Sequence, residues 1–206
     1  MKTPHAARRI PAGLAALAVA ATLVACGADT EAEPAGPARS TIGNGVDRAF
    51  VADMAPHHRS AIAMAEIARE QGQSRFVRNL AADIIEAQEE EIAVLIGADA
   101  ELAEAGVRTG SLRVPAHGMG MDDDPAMLRG ARPFDRAFVD MMVPHHQGAV
   151  RMARDELARG QSSELKGLAK DIVKAQRREI AQMEAFREKT FGGPVPTGRG
   201  NRPHGG

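Results

Sequence analysis

Two short strings could do chemistry in this chain: Met54-Ala-Pro-His57-His58 and Met142-Val-Pro-His145-His146. In each, a thioether precedes a pair of imidazoles, and Met54 to His58 is an i,i+4 spacing that sets both groups on neighbouring turns of one helix face. Thioether with imidazole and no thiolate is a donor set for soft ions, Cu(I) above all, whereas carboxylate-rich sets favour iron or manganese. A di-iron bundle needs Glu-x-x-His pairs, and the sequence contains none. A second soft-donor set is His117-Gly-Met119-Gly-Met121, where one short flexible stretch offers an imidazole and two thioethers, with Met127 close behind. The competing account makes the same residues structural. Met is ordinary core filler, the His117 stretch is a solvated loop, and Gln88, Glu91, Gln176 and Glu179 partner interior imidazoles. Without such partners each buried polar group costs about 1–3 kcal/mol.

What positions these strings is a duplication. At a constant offset of 88 residues, 47–93 matches 135–181 at 24 of 47 positions without a gap, so the domain is two copies of one unit. Repeats at 47–98 and 135–186 are joined by a Gly- and Pro-containing linker at 106–133. Each unit reads as a helical hairpin. Its first helix starts near Asp47 or Asp135 as N-cap and ends near Gly72 or Gly160, and Ser74 or Ser162 caps the second. The second helices place Leu80, Ile84 and Leu95, or Leu168, Ile172 and Met183, on one stripe. On the first helix the residues kept in both copies (Asp47, Phe50, Val51, Met54, His57, His58, Ala61, Met64, Ala65) fall within an arc of roughly 140°. Pro56 and Pro144 each remove a backbone bond beside a His pair and predict a kink there. The fold expected is all-α, a four-helix bundle of two duplicated hairpins spanning 47–191.

Composition narrows the function classes. The 206 residues include no Trp, no Tyr and one Cys, against 10 Met and 7 His. Missing aromatic platforms argue against carbohydrate or single-stranded nucleic-acid surfaces, and a net charge of -1 gives no basic field for nucleic acid. One Cys excludes intramolecular disulfides, thiolate-rich zinc sites and CxxC chemistry. Neither Ser nor Cys is placed for acyl chemistry, so no enzyme is expected; a metal-dependent oxidoreductase is the remaining catalytic alternative.

The N-terminus has its own logic. Residues 1–25 carry Lys2, Arg8 and Arg9, then an uncharged run rich in Ala and Leu, ending in Leu23-Val-Ala-Cys26. This is the pattern of a secretory signal followed by a lipobox, with Cys26 as the lipidated residue. It predicts a protein on the extracytoplasmic face of a bacterial cell membrane, held by acyl chains and partnered with no nucleic acid. Residues 26–46 read as a flexible tether and 192–206 as a disordered tail, in which His204 is incidental.

D-R-A-F-x-x-x-M-x-P-H-H-x-x-A-x-x-M-A, present twice and followed by A-Q-x-x-E-I, resembles the domain of unknown function 305 family of exported bacterial proteins. The His-Met-Met loop ahead of the second copy fits the resemblance too. It covers about 47–186 and implies a ferritin-like four-helix bundle with one long crossover, with copper binding and tolerance in some members. Carried onto this chain, it implicates Met54, His57, His58, Met64, Met142, His145, His146 and Met152. The function expected is Cu(I) binding or buffering in copper homeostasis. A bundle with structural histidines that binds another envelope protein, without metal, is the alternative.

Overall fold

The structure is a computed structural model that describes residues 42–196. The expected export signal, Cys26, most of the tether and His204 lie outside the described residues. Four helices account for the fold: α1 (Gly45–Gln71), α2 (Arg75–Glu104), α3 (Phe134–Arg159) and α4 (Ser163–Phe191). Among the described residues there is no strand, and no helix is long and apolar enough to cross a membrane.

Three of the four helices begin where the sequence offers a side-chain cap. Asn44 accepts from the Val46 and Asp47 amides while the Asp47 carboxylate accepts from the Asn44 amide, a reciprocal box that satisfies orphan donors of α1. Ser74 and Ser162 accept from Val77 and Leu165 and start α2 and α4. The first helices close on Gly72 and Gly160, whose amides donate to Ala68 and Glu156 carbonyls. Both α1 and α3 run on through their internal prolines, Pro56 and Pro144.

The expected role of Asp47 and Asp135 as N-caps is corrected. Asp47 is the third residue of α1, and Asp135 the second of α3, whose N-cap is Pro133. Their carboxylates reach across to the other repeat instead. Asp47 accepts from the Gln161 and Ser162 amides at 3.0 and 2.8 Å, and Asp135 from the Gln73 and Ser74 amides at 2.7 Å each. Each repeat's aspartate thus holds the turn of the other's hairpin, and these crossed bonds set α1 antiparallel to α3. Both aspartates are buried, and a hydrogen bond to a charged group contributes about 1.5–3 kcal/mol.

The end-to-end order follows. The chain runs up α1 and back down α2, and the linker then returns it along the bundle so that α3 starts beside the α1–α2 turn. The linker is pinned along α3 by Arg113 N–H to Asp155 at 2.9 Å, Arg159 to the Ser111 carbonyl at 2.9 Å and Arg151 Nε to the Gly118 carbonyl at 2.6 Å. Leu128, in the second of its two short 3-10 turns, is fully buried in the core. This is the single long crossover of a ferritin-like bundle.

All nine residues of the kept arc on α1, and their nine counterparts on α3, are buried. The core divides into two clusters. Met64, Ile84, Phe134, Phe138, Met142 and Met183 gather in one, and Phe50, Met54, Leu95, Met152 and Ile172 in the other. Each such side chain contributes about 1.5–3 kcal/mol by leaving water. Of the expected stripes, Leu168 is only half-buried. Of the tail expected from residue 192, 192–196 lie among the described residues: Arg187 donates to the Gly192 carbonyl at 2.6 Å, and Val195 is buried in the first cluster.

Candidate metal centre

Antiparallel packing of α1 on α3 brings the two His-His pairs face to face at mid-bundle. The His57 and His145 rings lie 3.8 Å apart between centroids, tilted by 38°. His58 and His146 sit outside them, 6.3 and 6.5 Å from their sequence neighbours. All four imidazoles are at most 2% exposed. Along each helix the pair falls between a Met of one apolar cluster and a Met of the other: Met54 and Met64 on α1, Met142 and Met152 on α3. Across the bundle, Met54 shares a cluster with Met152, and Met64 with Met142.

The outer imidazoles have carboxylate partners from their own hairpins. His146 Nε2 is 2.8 Å from Glu179 Oε2 in a buried hydrogen bond, and His58 Nε2 is 2.7 Å from Glu91 Oε2, a close ion-pair contact poorly aligned for a hydrogen bond. Of the four partners expected on the second helices, the two glutamates serve. Gln88 and Gln176 do not, although both are buried, and Gln88 Oε1 and both amide atoms of Gln176 have no hydrogen-bond partner.

The inner pair is different. His57 Nε2–H donates to the Met119 carbonyl at 2.9 Å, and neither nitrogen of His145 has a partner. The Nδ1 atoms of all four histidines are buried without a partner as well. Burial, and then the neighbouring His58, lower the His57 pKa to about 3 against the pull of the Met119 carbonyl. Burial followed by His57, His146 and His58 takes His145 well below its ordinary value. The inner imidazoles are therefore neutral at physiological pH, the form in which a ring nitrogen binds a metal. Five buried lone-pair or N–H positions left unmatched in one place are expensive in a purely structural core and fit a soft ion's demand for imidazole donors.

Among the described residues no three His, Cys, Asp or Glu side chains converge as a preformed cage. The thioethers on the same helix faces are donors whose softness matches that of imidazole. The loop residues lie outside this interior. His117 is exposed, Met121 is 42% and Met127 54% exposed, while Met119 is half-buried against the second cluster.

Sequence reasoning missed three features. Gly148 and Arg151 hold the linker against α3, and their counterparts in the first copy are Ser60 and Ala63, so a comparison of copies passes over them. Glu156 is fully buried beside Asp47, where the first copy has Ala68. Burial, then its hydrogen bond with Asp47 and that residue's charge, push the Glu156 pKa up to about 8. For Asp47 burial acts in the same direction, but the amides of Gln161, Asn44 and Ser162 outweigh it and lower its pKa. Of the two carboxyls, Glu156 is therefore the one that keeps a proton below about pH 8, beside an ionised Asp47.

The model of the domain of unknown function 305 (DUF305) matches residues 47–187. Among solved structures, CopM in the apo form is 34% identical, with 71% of this chain and 98% of that chain covered and a TM-score of 0.59. CopM in the Cu(I)-bound form is 32% identical over the same shares, with a TM-score of 0.60. A DUF305 protein from Streptomyces coelicolor is 28% identical over 75% of this chain and 97% of its own, with a TM-score of 0.63. No curated protein matches the chain.

Proposed function

The chain belongs to the DUF305 family, and from that premise we propose that it binds copper as Cu(I) and buffers it outside the cytoplasmic membrane. The observation that carries this reading is the cluster of buried imidazole nitrogens without partners at mid-bundle, flanked on both helices by methionines. That a relative about one-third identical has been solved with Cu(I), Cu(II) and Ag bound supports it. The ligands would come from His57, His58, His145 and His146 with Met54, Met64, Met142 and Met152. Glu179 would act behind them, accepting from His146 Nε2, and Glu91 would lie against His58 Nε2 as an ion-pair partner, leaving Nδ1 of both for the ion, as carboxylates commonly do behind metal-bound histidine. His117 and Met121 offer soft donors at the surface for a first capture, with Met119 half-buried between them and the interior. Nothing in the site supplies an acid, base or nucleophile aimed at an open cleft, so a binding rather than a catalytic role is proposed.

The location is part of the proposal. Cys26 would be lipidated after removal of residues 1–25, tethering the bundle to the outer face of the cell membrane. This rests on the signal and lipobox pattern in the sequence.

The His58–Glu91 and His146–Glu179 contacts favour a second reading, in which the histidines are structural and the bundle binds a protein partner. The two readings separate on one comparison: metal content of protein purified without affinity tag or chelator, and its melting temperature with and without Cu(I). A ligand that binds only the native state raises stability by RT ln(1 + [L]/Kd). Copper in the preparation and a clear rise on adding Cu(I) support binding; a metal-free protein with an unmoved transition supports the structural bundle.

A further inference from the structure

The linker crosses α3 at the His site with Gly118, Met119 and Gly120, and this contact is unusually close. A Cβ on Gly148 would lie 1.7 Å from the Met119 carbonyl oxygen, and one on Gly120, whose φ is +76°, would lie 2.5 Å from the Pro144 carbonyl. Both glycines exist at a spacing no side chain tolerates. Arg151 Nε donates to the Gly118 carbonyl one residue away, and the Met119 side chain is packed on the apolar cluster. The product of this arrangement is the Met119 carbonyl set 2.9 Å from His57 Nε2, with the His145 backbone a weaker influence on the same ring.

A carbonyl can only accept. His57 therefore carries its proton on Nε2, and its Nδ1 is left as a buried acceptor without a partner. The outer histidines are treated alike, with Nε2 facing Glu179 or Glu91 and Nδ1 open. Neither nitrogen of His145 has a partner, and His58 has only the ion-pair contact of its Nε2 with Glu91. Two imidazoles thus have a tautomer set by a hydrogen bond at Nε2, His146 by a carboxylate within its own hairpin and His57 by a loop between the hairpins.

We propose that the Gly118–Gly120 strap is a positioning element that locks His57 in the Nε2–H tautomer, and that Gly148 and Arg151 are the residues that hold it in place. It deepens the copper reading, on which it rests for its purpose: the locked tautomer presents Nδ1 for metal. The tautomer lock itself is a property of the metal-free protein. The duplication explains why the device appears once. The first copy has Ser60 and Ala63 at the corresponding positions and no linker to receive.

The test uses the full chain in detergent, labelled with ¹⁵N at histidine, in three forms: unaltered, Gly148→Ala and Arg151→Ala, with Arg151→Lys as the conservative rescue. Long-range ¹H–¹⁵N correlations read the tautomer of each imidazole, backbone hydrogen exchange at 118–120 reads the strap, and Ag(I) titration reads the site. In the unaltered protein His57 is expected as pure Nε2–H. In both disrupting variants exchange at the strap should rise, His57 should become a mixture of tautomers with His146 unchanged, and Ag(I) affinity should fall about tenfold or more, with partial recovery in Arg151→Lys. Should Gly148→Ala fail to fold, Arg151→Ala carries the same readouts. A His57 that is not Nε2–H in the unaltered protein overturns the proposal. So does a strap that loosens while the His57 tautomer stays fixed. If the tautomer follows the strap but no form binds Ag(I), the lock stands and the copper reading falls.

Discussion

Replacing Glu156 by Gln tests the carboxyl pair at the α3–α4 turn. The folded protein keeps a proton on Glu156 up to about pH 8, whereas the unfolded chain loses it near the ordinary value of 4.5. Between those values the folded state binds more protons than the unfolded one, so stability is highest below the unfolded pKa and falls as pH rises towards 8. At about 1.4 kcal/mol per unit the full shift would amount to about 5 kcal/mol. Lys166 and the polar turn nearby soften the medium, and a discounted loss of about 2–3 kcal/mol is expected. Gln keeps the shape, cannot ionise and can still donate to Asp47. The assay is chemical unfolding followed by far-UV circular dichroism, since the chain has no Trp or Tyr to report by fluorescence. At about pH 5 the two proteins should be close in stability, and at about pH 9 Glu156→Gln should be the more stable by the amount above. A stability difference between them that does not change with pH would refute the proton kept on Glu156.

Other perturbations probe the remaining parts. Asp135→Ala removes the acceptor for two part-buried turn amides and should cost about 1–3 kcal/mol in chemical unfolding; a change under about 0.5 kcal/mol would mean the crossed bonds hold nothing. Glu91→Gln with Glu179→Gln should lower Cu(I) affinity by about 10- to 100-fold with little change in far-UV dichroism, and an unaltered affinity would remove the carboxylates from the site. Cys26→Ala should move the exported protein from the membrane to the soluble fraction; retention in the membrane would contradict lipidation.

Much of the fold is legible because the duplication acts as an internal alignment. The nine kept residues of α1 and their counterparts on α3 are the buried face, and Gly72, Ser74, Gly160 and Ser162 mark the hairpin turns by their own local chemistry. The role of Asp47 and Asp135 is not legible in that way. An aspartate near a helix start satisfies the local rule for a cap, and only the antiparallel seating of α1 on α3 brings another helix's free amides within reach. The same limit hides the strap. Gly148 and Arg151 matter through a backbone oxygen more than twenty residues away, and a filter built on residues shared between copies discards both, together with Glu156. The four histidines were visible as a patterned set, but that His57 meets His145 rather than its own neighbour depends on the crossover direction of the linker.

The central claim is that the mid-bundle histidines and methionines bind Cu(I). It is tested most directly by titrating the protein against a chromogenic Cu(I) chelator, beside a variant with Ala at His57, His58, His145 and His146 of matched helicity. The account predicts that the unaltered protein withdraws copper from the chelator and that the variant loses affinity by at least about 100-fold, near 2.7 kcal/mol. Equal affinity in the two proteins would contradict it.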